Sequence, residues 1–405
     1  MLTRKQHFML LSSASGLTFW GMIATLGPLT AAGSLIGTLP HGMKVLILLI
    51  GPIFVPFGNF ITGLLSDIIG RKKIFIITMM MYGAGIIVIA LSQTFILLAI
   101  GLMVAEFGVG GEEIPSLSLI SEDSPVSQRA KWLTIIANFD NIGSAVIAGM
   151  FIVVTNTLFD RVLLLVSAVV LVIIMIISRI NLPESYKWLE SRDKEKSEIQ
   201  KSELYIDTEG IKSKKPSYKL SLFVLLSIAI SQYTTFGLMA YIIGPYEFSG
   251  TYTNEMIIFI ALVGASVAGF IAAPLISRGR KFFTLYSYLI GFLSTVTILA
   301  FVPLLNNVFI FYPLLFINMM MSEFAWASRT TLEPELFPTK YRGTLIGIVR
   351  LGPMIVYPVL IYLTSSLNLY NFILLNVLLW ALGAAGAITW YVKGLETTNI
   401  DINYQ

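Results

Sequence analysis

The sequence predicts an all-α membrane protein with twelve transmembrane helices in two related six-helix bundles. Three observations predict it: the composition, the number of long apolar segments, and motifs that occur once in each half. Of 405 residues, 56% are hydrophobic and 12% are charged, with a mean hydropathy of +0.81. Because a soluble globular chain carries roughly 25% charged residues, this composition indicates a chain that crosses the membrane many times.

A helix that spans the hydrocarbon core of a bilayer needs roughly 20 mainly apolar residues. The first such segment is too long for a signal peptide and lacks a small-residue cleavage site, so we interpret it as a helix. The twelve predicted segments are about 8–31, 43–66, 73–93, 95–119, 132–155, 161–180, 220–245, 254–277, 281–301, 307–331, 341–364 and 370–393.

The distribution of Lys and Arg predicts the orientation of these segments. If Arg4 and Lys5 are cytoplasmic, nearly all basic residues fall in cytoplasmic loops, and only Lys44 and Arg161 fall outside. The sequence therefore predicts a multi-pass protein of the cell membrane with both termini in the cytoplasm. The net charge of +4 follows from this topology, so we expect no nucleic-acid partner. The cytoplasmic basic loops are 71–73, 129–131, 179–219, 278–281 and 340–342.

One long polar segment, 181–219, separates the first six predicted helices from the last six. It begins with LPESYKWLE, which is either an amphipathic piece at the membrane interface or a solvated linker. We therefore predict an N-terminal six-helix bundle at 1–180, a cytoplasmic central loop at 181–219, and a C-terminal six-helix bundle with a short tail at 220–405.

Two short motifs occur in both halves. EDSPVSQRAK and PELFPTKYRG share Glu, Pro and Arg at the same spacing, 213 residues apart along the chain. GRKK at 70–73 is matched by GRK at 279–281, again between the second and third predicted helix of its half. Both matches indicate an internal duplication, which is common among secondary transporters.

These residues carry a resemblance to the major facilitator superfamily. GLLSDIIGRKK resembles its loop motif, with matches at Gly63, Asp67, Gly70, Arg71 and Lys72. SEDSPVSQRA, PELFPTKYRG and LPESYKWLE resemble elements of its sugar-porter and metabolite:proton symporter branches, and KGLETTNI weakly resembles their C-terminal segment. The resemblance covers essentially the whole chain and implies the major facilitator fold.

The resemblance also implies a cytoplasmic latch between the two halves. In the first half Asp67, Arg71, Glu122 and Arg129 form it, and in the second half Glu335 and Arg342 are the counterparts. Ser277 stands near the position that corresponds to Asp67, so we expect a weaker second latch. The alternative for the lysines is plain anchoring at the lipid headgroups.

Charges inside the predicted helices are the candidates for a solute and proton site, because each costs at least about 2.5 kcal/mol at a helix centre unless it is paired or solvated. Arg329 with Glu333 is alternatively a structural i, i+4 pair. Segment 1, with SGLTFWGMIATLGP, lacks the acid that proton-coupled relatives have there, so a proton would use Asp140 or a glutamate of segment 4. The predicted cavity residues are Glu106, Glu112, Glu113, Asp140, Asn141, Gln232, Arg329 and Arg350.

These observations predict a secondary active transporter that moves a small polar metabolite, a sugar or an organic acid, by alternating access with proton coupling. A hydrophobic-compound exporter, an uncoupled facilitator and a solute sensor of the same fold are the alternatives.

His7 and His41 are the two histidines, and cysteine is absent, so we predict no enzyme, no metal and no cofactor. The predicted partners are a small-molecule solute, protons and the lipid bilayer, with the protein as a monomer.

Overall fold

The computed structural model describes residues 4–69, 71–123, 126–153, 157–180, 218–305, 307–337 and 342–398. Within these ranges every regular element is a helix. The predicted central loop at 181–219 lies outside the described residues except for its last two positions.

The helices of the first half are α1 (Arg4–Ala32), α2 (His41–Ile69), α3 (Arg71–Leu91), α4 (Phe95–Asp123), α5 (Val126–Ala137), α6 (Phe139–Val153) and α7 (Thr157–Ile180). Those of the second half are α8 (Tyr218–Gly237), α9 (Ile243–Glu247), α10 (Thr251–Leu275), α11 (Arg280–Phe301), α12 (Val308–Glu335), α13 (Arg342–Thr364) and α14 (Leu369–Lys393).

Ten stretches of the described chain are helical, long and apolar enough to span a bilayer. Helix α3 adds a shorter apolar stretch, Ile76–Leu91, and α7 covers the sixth predicted segment. Each of the twelve predicted segments thus coincides with helix, and the all-α membrane fold is confirmed.

Two predicted segments are each divided in the structure. The fifth is α5 followed by α6, which meet at Asn138, and the seventh is α8 and α9 joined by a π-helical turn, Leu238–Ile242. Single π turns inside α-helices are frequent at functional sites. Both interruptions lie in helices that adjoin the interface between the halves.

The two halves repeat one packing pattern. In the first half α1 packs against α4, α6 and α7, α2 against α4, and α3 against α4 and α7. The equivalent pairs of the second half are α8 with α12, α13 and α14, α10 with α12, and α11 with α12 and α14. This agreement is what an internal duplication produces. The halves meet mainly where α6 packs on α10 and α2 packs on α13.

Glycines let α1 and α6 approach each other closely. A Cβ atom added at Gly21 would overlap the backbone carbonyl of Asp140, and one at Gly143 would overlap that of Thr18. Small residues at helix interfaces allow such backbone contact in membrane proteins. The contact fixes the start of α6, and with it Asp140, against α1.

Candidate functional site

A central cavity lies between the halves and has two lobes that share Trp20, Val55 and Tyr233. The first, which we call the inner lobe, encloses about 690 Å³ of empty space including its open mouth. The second, the outer lobe, encloses about 530 Å³ on the same basis. Residues from both halves line each lobe, so a bound solute would contact both.

The inner lobe brings together an acid and two arginines. Asp140 enters it from the first turn of α6, Arg329 from α12 and Arg350 from α13. Asn59 and Trp326 also line this lobe. Charged side chains of both signs, contributed by both halves, therefore line one cavity.

Glu333 pairs with both arginines. Its Oε1 lies 3.4 Å from Nε of Arg329 and its Oε2 lies 3.0 Å from Nε of Arg350. The side chains of Glu333 and Arg329 are 1% and 8% exposed, whereas that of Arg350 is 28% exposed. Since a guanidinium has five N–H donors, an arginine that pairs with Glu333 still has the capacity to bind a solute.

A second polar network connects the halves away from the lobes. The amide of Asn141 donates to Oε2 of Glu323 at 3.0 Å and to Oδ1 of Asn138 at 3.2 Å. The amide of Asn138 in turn donates to the backbone carbonyl of Ser266 in α10 at 2.8 Å. Gly269 leaves room for Asn138, because a Cβ atom there would overlap the asparagine side chain.

The end of the molecule that we predict to face outside carries direct contacts between the halves. Ser34, just after α1, donates its hydroxyl to Oε1 of Glu255 in α10 at 2.7 Å. Thr251 donates to the carbonyl of Ala32 at 3.1 Å. Glu255 is 6% exposed, so this contact, which we call the outer latch, is shielded from water.

The opposite end carries a network within the second half. Glu335 accepts Arg280 in a salt bridge of 3.2 Å and the hydroxyl of Thr397 at 2.5 Å. Glu396 accepts the backbone N–H of Arg280 at 2.8 Å and of Lys281 at 3.1 Å. The tail after α14 is thereby fastened to the start of α11. We call this network the tail clamp.

Burial by itself raises the pKa of the Glu396 carboxyl. Hydrogen bonds from the Thr398 hydroxyl and from the backbone N–H groups of Lys281, Arg280 and Thr398 outweigh it, so the pKa falls below its ordinary value of 4.5. A carboxylate that accepts several N–H bonds at a helix start is stabilised in its charged form.

The structure brings some of the predicted residues together and not others. Glu106 lines the outer lobe, whereas Glu112 and Gln232 are buried outside both lobe linings. Thr78 donates its hydroxyl to Glu112 at 3.2 Å. Gly63 lies within α2. The side chains of Asp67, Arg71, Lys72, Glu113, Glu122, Arg129 and Arg342, and the whole of Gly70, lie outside what the structure describes.

In the second half, Glu335 has partners that the motif comparison did not point to, while the side chain of its predicted counterpart Arg342 lies outside what the structure describes. Among the described residues these partners are Arg280 and Thr397. Ser277, near the position that corresponds to Asp67, donates instead to the carbonyl of Pro274 within its own helix end. Arg280 of the GRK motif and the tail motif KGLETTNI are both visible in the sequence, and together they could have predicted this network.

Sequence reasoning missed most of the uncharged lining of the cavity. Asn59, Tyr241, Trp326 and Tyr357 line one lobe or the other. An aromatic residue in an apolar helix carries no sequence signal of whether it faces a cavity, a neighbouring helix or lipid.

The sequence model of the protein family described as the Major Facilitator Superfamily matches residues 8–356 of this chain. The minor myo-inositol transporter IolF of Bacillus subtilis is 25% identical over 305 residues, which are 72% of this chain and 68% of that protein. The putative niacin/nicotinamide transporter NiaP of the same organism is 26% identical over 297 residues, 72% of this chain and 70% of that protein.

Solved structures of the xylose transporter XylE share the fold. The inward open conformation of XylE from E. coli aligns with a TM-score of 0.74 at 13% identity, covering 98% of both chains. The proton:xylose symporter XylE bound to 6-bromo-6-deoxy-D-glucose aligns with a TM-score of 0.73 at 15% identity, also over 98% of both chains. The chain is therefore a multi-pass membrane protein that belongs to the Major Facilitator Superfamily, and it is a solute transporter of that family.

Proposed function

We propose that this transporter moves a small polar organic solute through the central cavity, and that protons drive it by way of Asp140. The observation that carries the proposal is the inner lobe, where Asp140 of the first half meets Arg329 and Arg350 of the second. The names of the relatives, transporters of inositol and of niacin, and the proton:xylose symporter title of the structural neighbour support a small polar solute and protons.

Alternating access gives Asp140 a means of coupling. It belongs to α6, and the two arginines belong to helices of the other half, so rocking of the halves changes the distance between them. A carboxylate holds its proton more or less tightly according to its distance from a positive charge and its access to water. Each rocking step would then change the proton affinity of Asp140, while the same arginines hold or release the solute.

Two alternatives are disfavoured by the polar lining. A proton-driven exporter of hydrophobic compounds could use the acid, but the two arginines would cost free energy in its cavity without a solute group to bind. An uncoupled facilitator needs no titratable group there. We further propose that the protein acts as a monomer without enzymatic activity in the cell membrane, with both termini cytoplasmic, since the Lys and Arg residues concentrate in loops of one side.

The latch residues predicted from the motifs remain part of this proposal. Among them Glu335 is the one whose side chain is described, and it is held by Arg280 and the tail. The remaining members are Gly63, Asp67, Gly70, Arg71, Lys72, Glu122, Arg129 and Arg342.

Uptake into proteoliposomes tests the proposal. A panel of labelled sugars, polyols, pyridine carboxylates and dicarboxylates is offered with and without an inward proton gradient to the native chain and to Asp140→Asn. Glu247→Gln, an acid at the end of α9 outside both lobes, is the matched control. We expect one solute to accumulate only with the gradient, and Asp140→Asn merely to equilibrate it. Gradient-independent uptake that is equal in all three proteins would contradict proton coupling.

A further inference from the structure

The outer lobe differs in chemistry from the inner one. Apart from one acid, its polar atoms belong to aromatic side chains, and the rest of its wall is aliphatic, glycine or proline. The residues that matter for the argument are Trp20, Glu106, Tyr233, Tyr241 and Tyr357. Tyr233 and Tyr357 meet edge to face, with ring centroids 5.5 Å apart and planes at 88°, and so form an aromatic corner.

Glu106 is the acid of this lobe. It is 2% exposed, its Oε2 has no hydrogen-bond partner, and no salt bridge reaches it from the described residues. Its carboxylate lies against α2 where Gly51 lacks a side chain: a Cβ atom there would be 3.2 Å from Oε1. Buried polar groups in native proteins nearly always have partners, so an unpartnered carboxyl oxygen that lines a cavity is available to a water molecule or to a ligand donor.

Trp20 supplies a second unpartnered group. Its indole Nε1 is buried and donates no hydrogen bond in the described part of the chain. Trp20 lines both lobes, as does Tyr233, so a solute that extends from one lobe into the other passes along these two rings. One unused acceptor and one unused donor thus lie in a wall that is otherwise aliphatic or aromatic.

The charges of the cavity leave Glu106 without compensation. The positive charges of Arg329 and Arg350 are balanced by the negative charges of Asp140 and Glu333. This count covers the described residues that line the lobes or pair with lining residues. Glu106 is the surplus carboxylate. A buried carboxyl group among aromatic faces is a setting in which a ligand cation gains both ion pairing with the deprotonated acid and cation–π attraction.

The same wall is poorly suited to a sugar or polyol. Each hydroxyl of such a solute needs a hydrogen-bond partner when water is excluded, because an unsatisfied polar group costs free energy. The side-chain polar groups of the outer lobe are one carboxyl, one indole N–H and three tyrosine hydroxyls, and that of Tyr241 already lies 3.4 Å from the Ser144 hydroxyl. A flat or apolar ring with one nitrogen fits the wall better.

We propose that the outer lobe is a subsite for a ring that carries a positively charged nitrogen, with Glu106 as its counter-ion and Trp20, Tyr233, Tyr241 and Tyr357 as its aromatic walls. The inference rests on the proposed function, because it assigns part of the solute to the transport cavity. The solute class is accordingly an organic amine or cationic nitrogen heterocycle, and any acidic group on it would lie toward the arginines of the inner lobe.

Binding of two matched probes to the purified full-length protein tests the proposal. Benzylammonium and benzyl alcohol have the same ring and similar size, and they differ in charge at neutral pH. Isothermal titration calorimetry compares their affinities for the native chain, Glu106→Gln and the control Glu247→Gln. We expect the native chain and the control to prefer benzylammonium by about tenfold, and Glu106→Gln to lose this preference while still binding benzyl alcohol.

An equal affinity of the native chain for both probes overturns the proposal, as does a preference that survives in Glu106→Gln. If Glu106→Gln cannot be purified, Ala24→Leu, which fills the same lobe, must abolish benzylammonium binding, and unchanged binding overturns the subsite.

The calorimetric measurement uses no membrane gradient. Failure of the proteoliposome uptake experiment in a protein that binds benzylammonium selectively therefore contradicts transport alone, and uptake without this selectivity contradicts the subsite alone.

Discussion

The side-chain amide of Asn141 donates a hydrogen bond to Oε2 of Glu323, at 3.0 Å, across the interface between the two halves. Both side chains are buried, and Oε1 of Glu323 has no hydrogen-bond partner among the described residues. Any motion that separates α6 from α12 would break this bond. It is a polar contact inside the membrane whose energy depends on how the halves are arranged.

Removing the donor should destabilise the protein. Asn141→Leu leaves the Glu323 carboxylate buried without its amide, which costs about 1–3 kcal/mol, and we expect a lower thermal unfolding temperature in detergent. The double variant Asn141→Leu with Glu323→Leu removes both partners, so most of the loss should be recovered. A double variant no more stable than the single one would show that the hydrogen bond is not the cause.

The two arginines that share Glu333 should respond unequally to substitution. Arg329→Gln removes the more buried member, 8% exposed against 28% for Arg350. Glu333 keeps Arg350 as a partner, so the loss should be smaller than about 3–5 kcal/mol, the cost of a buried charge left with no partner. We expect Arg329→Gln to lower thermal stability clearly more than Arg350→Gln does. Both variants should impair solute uptake, because both side chains line the inner lobe. Equal stability losses would contradict the difference in burial.

The contact of α1 with α6 should tolerate no added side chain. Gly143→Ala places a methyl group against the carbonyl of Thr18, which the helices must move apart to admit, and we expect a loss of about 1–3 kcal/mol from overpacking. Gly347→Ala is the matched control, since no described atom of another element lies within 4 Å of its added methyl group. It should be neutral or stabilising, because alanine favours helix by up to about 1 kcal/mol over glycine. Similar thermal shifts in both variants would contradict the argument.

The fold was predictable from the sequence to a greater extent than the site. Apolar segment length indicates the helices, because the bilayer thickness imposes it, and the repeated motifs indicate the two halves. Buried charges such as Asp140 and Arg350 stand out for the same reason. The partners of these charges, such as Glu333 for both arginines, and the aromatic lining at Tyr241 and Tyr357 depend on helix rotation and tilt, which packing against neighbouring helices determines.

The tail clamp should make stability depend on pH in the acid range. Hydrogen bonds to Glu396 outweigh its burial and lower its pKa below the ordinary value of 4.5. A group with a lowered folded-state pKa contributes stability above its unfolded pKa and loses it as the pH falls through the folded pKa. The difference in thermal stability between the native chain and Glu396→Gln should therefore be present at pH 6 and shrink below about pH 4.5.

Glu247→Gln provides the control for this pH profile, since Glu247 lies at the end of α9 and takes no part in the tail clamp. Its difference from the native chain should not follow the same acid transition. A Glu396→Gln difference that is constant from pH 6 to pH 3 would indicate that the carboxylate charge contributes nothing to fastening the tail.

The outer latch should restrict access to the cavity from the side of Ser34. Its hydroxyl is one of the contacts between the halves at that end, donating to Glu255 at 2.7 Å. Ser34→Ala removes the donor and leaves the buried carboxylate without it. If the lost bond contributes about 1 kcal/mol, the population open at that end rises about fivefold.

Cysteine labelling measures this population directly, because the chain contains no cysteine. Ala24→Cys places a single thiol in the outer lobe, where a membrane-impermeant maleimide reacts only when that end is open. Ser34→Ala should raise the labelling rate, whereas Ser365→Ala, whose hydroxyl donates to the carbonyl of Tyr362 at an exposed helix end, should leave it unchanged. An unchanged rate in Ser34→Ala would mean that the remaining contacts, including Thr251 to Ala32, close this end without Ser34. The Glu255 hydrogen bond would then be a consequence of closure, because its removal would not shift the equilibrium between open and closed states.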